Sequence, residues 1–179
     1  MALIPRRTHT RTIARAALIA GLTLAVAAPA ALAGKPVTGP SANFPYAFPA
    51  GAPCTNPVVF ENTSINSRDS AFDPARDGSW RLLTRGSAVS QAVDQVTGAV
   101  YSMRGGYRFQ VTFAADDSFR VDGAGTDIIA WYFPGDDSEL PPGLWDIDGR
   151  ITEWYAPDGS FIKATFDGHA TDICAALEA

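Results

Sequence analysis

Alternation of apolar and polar side chains is the dominant pattern in the second half of the chain. It is clearest over 107–113, where every odd position is apolar and every even position is polar or charged. This period of two is typical of a β-strand with one buried and one solvated face. The segment 118–122 repeats it directly after Asp116 and Asp117, two residues that favour a turn. We therefore expect two consecutive strands here.

Shorter segments of the same kind recur along the chain, separated by residues that favour turns. The run 127–133 differs because it is apolar on both faces. We expect polar loops at Ser64–Ser79 and Pro134–Gly143, turns at Gln95–Gly98 and Pro157–Gly159, and one short helical turn within Ala170–Leu177. The predicted strands are 58–60, 80–84, 88–94, 99–104, 107–113, 118–122, 127–133, 144–148, 150–155 and 160–166.

These elements predict an all-β fold. The connections are too short for crossover helices, so neighbouring strands are expected to be antiparallel and to follow one another as an up-and-down meander. Closing such a meander removes exposed sheet edges. We therefore predict an antiparallel up-and-down barrel of about eight strands, with a two-sheet β-sandwich as the alternative.

The N-terminal region divides into two segments that precede this domain. Residues 1–33 have a basic start, an apolar run and a small-x-small end at Ala31–Ala33, which is the pattern of a secretory signal peptide. Residues 34–53 are rich in Pro, Gly and Ala and predict an extended leader without regular structure. The single β domain is expected to span 54–179. We expect a secreted protein with no membrane span.

Charge and cysteine content narrow the class of protein further. Removal of four signal-peptide arginines changes the net charge from −5 to −9, which argues against a nucleic-acid partner. Cys54 and Cys174 allow one intramolecular disulfide in an oxidising compartment, and two free buried thiols are the alternative. A bond closing so long a loop would stabilise the fold by about 4–5 kcal/mol.

Three short motifs resemble a group of small secreted actinobacterial proteins of uncharacterised function. They are Phe48-Pro49-Ala50-Gly51-x-x-Cys54, Asp94-x-x-Thr97-Gly98, and Asp172-Ile173-Cys174-x-x-Leu177. The resemblance implies a disulfide between the two ends of the domain and a compact β-barrel-like fold. It implies no activity, ligand or catalytic residue, and the polar stretch Thr55–Ser79 departs from the pattern.

Aromatic residues on the predicted strands are the strongest candidates for a binding site. A small barrel either fills its interior with such rings or leaves room for one apolar ligand. Filling the core is the default interpretation, since a domain of this size needs the rings for stability. The candidate ligand-binding residues are Phe109, Phe113, Phe119, Trp131, Phe133, Trp145 and Trp154.

Catalytic and metal-binding patterns are weak by comparison. His169 is the one histidine after the signal segment, and no nucleophile motif accompanies it, so we predict no catalytic residue. We also predict no cofactor and no metal, because one His and two paired Cys cannot supply a zinc site. Acidic turns could hold Ca²⁺ weakly, but Asp is also common in turns for its local hydrogen bonds. Asp146 and Asp148 alternate with Trp145 and Ile147 on one predicted strand.

Three functions from different classes follow from this interpretation. The first is a secreted, non-catalytic barrel that binds a small apolar molecule. The second is an extracellular interaction or inhibitor protein that binds a partner protein through Ser64–Ser79 and Pro134–Gly143. The third is an isomerase- or cyclase-type enzyme with a substrate between aromatic walls and one polar group. Binding is favoured over catalysis, and the sequence does not fix an oligomeric state.

Overall fold

The computed structural model describes residues 36–41 and 45–179. The predicted signal peptide, residues 1–33, lies outside the described residues. Eight strands and one helix follow each other along the chain: β1 Val37–Pro40, β2 Tyr46–Phe48, β3 Val58–Ala71, β4 Trp80–Asp94, β5 Val100–Phe113, β6 Phe119–Tyr132, β7 Gly143–Tyr155, β8 Phe161–Asp172 and α1 Ile173–Glu178.

One sheet contains all eight strands. Strands β3 to β8 lie side by side in chain order, and each is antiparallel to the next, while β1 and β2 both pair with the other edge of β3. The predicted all-β antiparallel meander is therefore confirmed. Within the described residues the first and last strands do not pair, so the sheet is open. This arrangement is compatible with both the barrel-like and the sandwich-like form of the prediction.

The strands are longer than the alternating segments suggest, because several predicted pairs of strands are single strands. The segments 80–84 and 88–94 correspond to β4, 99–104 and 107–113 to β5, 118–122 and 127–133 to β6, and 144–148 and 150–155 to β7. Glycines at the junctions read as breaks in the sequence, but each strand continues through them.

These glycines form a row across the sheet. Gly125, Gly149 and Gly168 are directly paired neighbours on β6, β7 and β8, and Gly86 occupies the same row on β4. A Cβ on Gly149 would lie 2.2 Å from the carbonyl oxygen of Asp167, on a backbone with φ of 151°. No side chain fits at such a distance, so this glycine row lets neighbouring backbones approach closely.

The predicted loop Ser64–Ser79 is wrong for its first half. Strand β3 continues to Ala71, with a register shift between Asn62 and Ser64, and only 72–79 connects it to β4. The polar sequence is accommodated because its buried hydroxyls are paired: Ser67 Oγ lies 2.6 Å from the Tyr107 hydroxyl. That bond crosses over Gly86, where a side chain would collide with Ser67.

The leader also contains more order than its composition predicts. Strands β1 and β2 fall within 34–53 and pair with the two ends of β3. The expectation of no regular structure is therefore wrong for those seven residues. The predicted turns at Gln95–Gly98 and Pro157–Gly159 are confirmed, and the predicted helical turn is α1.

Three apolar clusters fill the space around the sheet. The upper cluster centres on Phe48, Phe60, Met103, Leu144 and Ile173; the central cluster on Ile128, Tyr132, Ile147 and Ile151; and the lower cluster on Leu82, Val111, Phe119 and Tyr155. Strand β6 contributes Ile129 and Trp131 to the upper cluster, and Ile128 and Tyr132 to the central one. Its apolar residues on both faces are explained by these two clusters.

A disulfide between Cys54 and Cys174 joins the start of the domain to α1, which confirms the pairing. The helix begins at Asp172, whose side chain accepts a hydrogen bond from the Ala175 amide at 3.1 Å. Ile173 and Leu177 then enter the upper cluster. The bond therefore fastens the helix over one end of the sheet.

Replacing Gly149 by Ala should destabilise the fold by about 3 kcal/mol or more, because the added Cβ meets the backbone of β8. The matched control is Gly39→Ala in β1, where an added Cβ meets nothing within 4 Å. It should change the free energy of unfolding by less than about 0.5 kcal/mol. Urea unfolding followed by tryptophan fluorescence measures both, and equal effects would contradict the assigned role of the row.

Loss of the disulfide should cost about 4–5 kcal/mol, because the bond closes a loop across a sequence separation of 120 residues. The double variant Cys54→Ser/Cys174→Ser tests this by urea unfolding against the oxidised wild type. The wild type under reducing conditions should match the double variant. A loss below about 1 kcal/mol would mean that packing of α1 alone holds the chain ends together.

Candidate functional site at the seam between β5 and β6

The sheet is split between β5 and β6 above the glycine row. Tyr107–Phe113 pairs with β6, whereas within the described residues 100–106 has no ladder partner on that side. The register of β6 shifts between Gly125 and Ile128, and 128–132 pairs only with β7. We call the gap between 100–106 and 128–132 the seam.

A phenol and a carboxyl group meet across the seam. The Tyr101 hydroxyl on β5 donates to Asp146 Oδ2 on β7 at 3.0 Å. The other oxygen, Asp146 Oδ1, is buried and has no hydrogen-bond partner, and it is the one such side-chain atom among the residues that the structure describes. A buried acceptor without a donor lowers the stability of the folded protein, so such an atom requires an explanation.

Burial raises the pKa of Asp146 from its usual 3.8 to about 6. The hydrogen bond from Tyr101 opposes this shift, while the nearby carboxylates of Asp127 and Asp148 add to it by charge repulsion. Burial and the adjacent Asp146 raise the pKa of Tyr101 to about 12. Near neutral pH the site therefore holds a phenol that stays protonated and a carboxyl group that titrates.

The backbone of the β6 bulge brings a second carboxyl group to this pair. Asp127 has a positive φ of 53°, and its amide donates to Asp148 Oδ1 at 3.1 Å. The charge of its side chain also helps to raise the pKa of Asp146. Gly105 makes the approach possible, because a Cβ there would lie 2.2 Å from the Thr126 carbonyl oxygen. The bulge therefore places negative charge beside Asp146, which favours the protonated form of that carboxyl group.

The seam borders the aromatic part of the upper cluster. Asp146 is paired with Ile129, and Trp131 lies two residues further along the same face of β6. The Trp131 ring packs against Tyr46 at 5.7 Å and Phe48 at 5.4 Å between ring centroids. The site therefore combines a carboxyl–phenol pair with an apolar aromatic wall.

The seven predicted aromatic residues are distributed over the sheet and do not form one site. Phe113 and Phe119 belong to the lower cluster, and Phe109 and Trp145 pack against the central one. Trp154 lies under the Lys163 ammonium at 4.6 Å, and the amide of Phe133 donates to Asp136 at 2.6 Å. Trp131 alone borders the seam.

The other acidic candidates have local structural partners. Asp116 accepts from the amide and hydroxyl of Ser118, as expected for a turn. In the loop 133–142, the Asp137 carbonyl accepts from the Ala164 amide, and Glu139 accepts from the Phe166 amide. His169 is exposed and pairs with Asp148 across β7 and β8. Within the described residues no group of three or more His, Cys, Asp or Glu could hold a metal ion.

Sequence reasoning noted Asp146 only through its alternation with Trp145, and it missed Tyr101 and Asp127. Their meeting depends on the register shift in β6, which no local pattern reveals. The one available signal is an acidic residue at an alternating position next to the apolar run of β6.

Comparison with protein-family models, with curated proteins and with solved structures finds no match to the chain. In the part of the chain that the structure describes, no helix is both long and apolar enough to cross a membrane. The arrangement at the seam is therefore interpreted from its own geometry.

Replacing Asp146 by Asn should remove a pH-dependent loss of stability. The raised pKa means that the protonated wild type is fully stabilised below about pH 3.8 and loses this contribution as the pH rises through about 6. The full shift corresponds to about 3 kcal/mol, and because solvent reaches part of the carboxyl group we expect about 1 kcal/mol. Asp146→Asn should thus equal the wild type at about pH 4 and exceed it at about pH 8.

Urea unfolding across this pH range measures the difference. Asp158→Asn is the control with the opposite sign, because hydrogen bonds from Ser160 lower the pKa of Asp158. The wild type should be more stable than Asp158→Asn above pH 3.8, and this difference in the free energy of unfolding should disappear as the pH falls further. A constant difference between wild type and Asp146→Asn at all pH values would refute the assignment.

Proposed function

We propose that this protein is an exported, non-catalytic binding protein that takes a small, largely apolar molecule at the seam. The observation that supports this most directly is Asp146 Oδ1, a buried acceptor without a donor beside an aromatic wall. A ligand group carrying an N–H or O–H would satisfy it. An apolar surface with a few fixed polar groups is the usual composition of a small-molecule site.

Export is part of the proposal and rests on two features. The first 33 residues have the composition of a secretory signal, and the single disulfide is stable in an oxidising compartment. The resemblance of the cysteine-flanking motifs to secreted actinobacterial proteins is consistent with this location. An exported binding protein would take up its ligand outside the cytoplasm.

The chemistry of the seam indicates what the ligand carries. Tyr101 holds one oxygen of Asp146, so one acceptor position is left for the ligand. The Trp131, Tyr46 and Phe48 rings favour an apolar or aromatic body. We therefore expect a molecule with one hydrogen-bond donor, an alcohol or an amine, at the edge of an apolar skeleton.

Native mass spectrometry of the secreted, unstripped protein tests the proposal. The wild type should carry an additional small mass that is lost on gentle activation. Asp146→Asn should reduce its occupancy at least about ten-fold, since a charge-assisted hydrogen bond contributes roughly 1.5–3 kcal/mol. Asp117→Asn, in an exposed turn far from the seam, is the matched control and should retain the ligand. Equal occupancy in both variants would contradict a site at Asp146.

An isomerase- or cyclase-type reaction is the second candidate function. The specific observation in its favour is the pKa of about 6 at Asp146, which suits a general acid or base near neutral pH. The released ligand distinguishes the two. A chemically altered product, formed at a rate that follows a group titrating near pH 6, supports catalysis. An unchanged ligand supports binding alone.

A further inference from the structure

Cationic side chains are concentrated on the exposed face of the sheet. The described residues contain nine cationic and nineteen acidic side chains, a net charge of −10. Eight of the nine cations lie on strands, and Arg76 is the exception. Four arginines lie in one row that runs across the strands. Arg68 is paired with Arg85, and Arg85 with Arg108. Arg108 is paired with Ala124, which in turn is paired with Arg150. We call these four residues the arginine row.

The arginine row is one register position away from the glycine row and points to the opposite face. Leu82 and Val111 alternate with these arginines and are buried, whereas all four arginines are exposed. Strands lie about 4.8 Å apart, so the row spans roughly 19 Å from β3 to β7. On β8 the residue paired with Arg150 is Asp167, the one carboxylate at this register position.

The four arginines, like Arg104 on the same face of β5, lack a partner within the described residues, whereas three other cations on this face have one. Arg81 lies 4.3 Å above the Phe72 ring, Arg120 forms an ion pair with Asp122, and Lys163 covers Trp154. No arginine of the row has an ion pair or hydrogen bond within the described residues. Like charges directly opposite each other on neighbouring strands are destabilising. An acidic chain that places arginines side by side therefore gains from an anion bound outside it.

We propose that the arginine row binds an extended acidic polysaccharide, with the guanidinium groups holding successive carboxylate or phosphate groups of the sugar chain. This site is separate from the seam. The planar arginine fork matches such anions in two-bonded geometry. The rows on either side contain Ser87, Asn66, Gln110 and Thr165, whose polar side chains suit the hydroxyl groups of sugars. They also contain one carboxylate each, Asp122 and Asp148.

Other polyanions fit this surface less well. Duplex DNA carries a charge about every 1.7 Å and would meet the many carboxylates outside the row, whereas an acidic polysaccharide has sparser charges. No aromatic residue in the row offers a stacking platform for single-stranded nucleic acid. An anionic membrane would favour large apolar or aromatic residues between the cations, and the residue within the row is Ala124.

Calorimetric titration with polygalacturonate in about 50 mM salt tests the proposal. The double variant Arg85→Gln/Arg108→Gln should weaken binding at least about ten-fold and reduce its dependence on salt. Arg81→Gln/Arg120→Gln is the matched control, with the same loss of charge on the same face, and should lose less than about three-fold. Arg85→Lys/Arg108→Lys should give an intermediate affinity, because charge remains and the fork is lost.

Further outcomes decide the proposal. Asp146→Asn should bind polygalacturonate like the wild type, so failure at the seam leaves this result unaffected. The thermal midpoint of Arg85→Gln/Arg108→Gln should equal or exceed that of the wild type, which shows that the variant is folded. Equal losses in the row and control variants would overturn the proposal. So would absence of binding, or stronger binding to a DNA duplex or to anionic vesicles at the same salt concentration.

Discussion

The close approach of neighbouring backbones at the glycine row is the constraint on which the other features of this protein depend. Where Gly149 meets Asp167, no Cβ would fit, so the strands can stay paired there only because glycine has no side chain. The register shift in β6 occurs beside Gly125, and it opens the seam in which Tyr101 reaches Asp146. The arginine row occupies the next register position on the outer face.

The sequence predicts the type of fold because that depends on local patterns. The alternation over 107–113 and the turn at Pro157–Gly159 each require only neighbouring residues, and both are confirmed. The motif at Asp94 also has a local explanation. One carboxylate oxygen accepts from the amides of Val96 and Thr97, which fixes the hairpin, and the other accepts from Asn56 next to the disulfide.

Strand lengths and the candidate site were not predictable in the same way. A glycine within a strand and a glycine at a strand end look alike in sequence, and only the paired backbone distinguishes them. The polar half of β3 is a strand because Ser67 finds a hydroxyl partner two strands away. Asp127 and Tyr101 approach Asp146 through a bulge, which depends on contacts between distant parts of the chain.

Net charge also concealed an important property of the surface. Carboxylates such as Asp77, Asp116 and Asp158 lie in turns, where amide and hydroxyl donors lower their pKa values and keep them ionised. The cations lie on the strands between those turns. Ten of the nineteen carboxylates of the described residues also lie on strands, so the arginine row depends on the register between strands and not on a separation of charge between turns and strands.

The loop 133–142 affects how readily the edge of the sheet can pair with other copies of the chain. Its backbone at Asp137 and the Glu139 side chain occupy the amides of Ala164 and Phe166 on the outer edge of β8. An open sheet offers its last strand as a template on which another chain can add, and this loop occupies two of the donors that such addition needs. The loop therefore protects part of this edge of an open sheet from the strand addition that leads to fibrils.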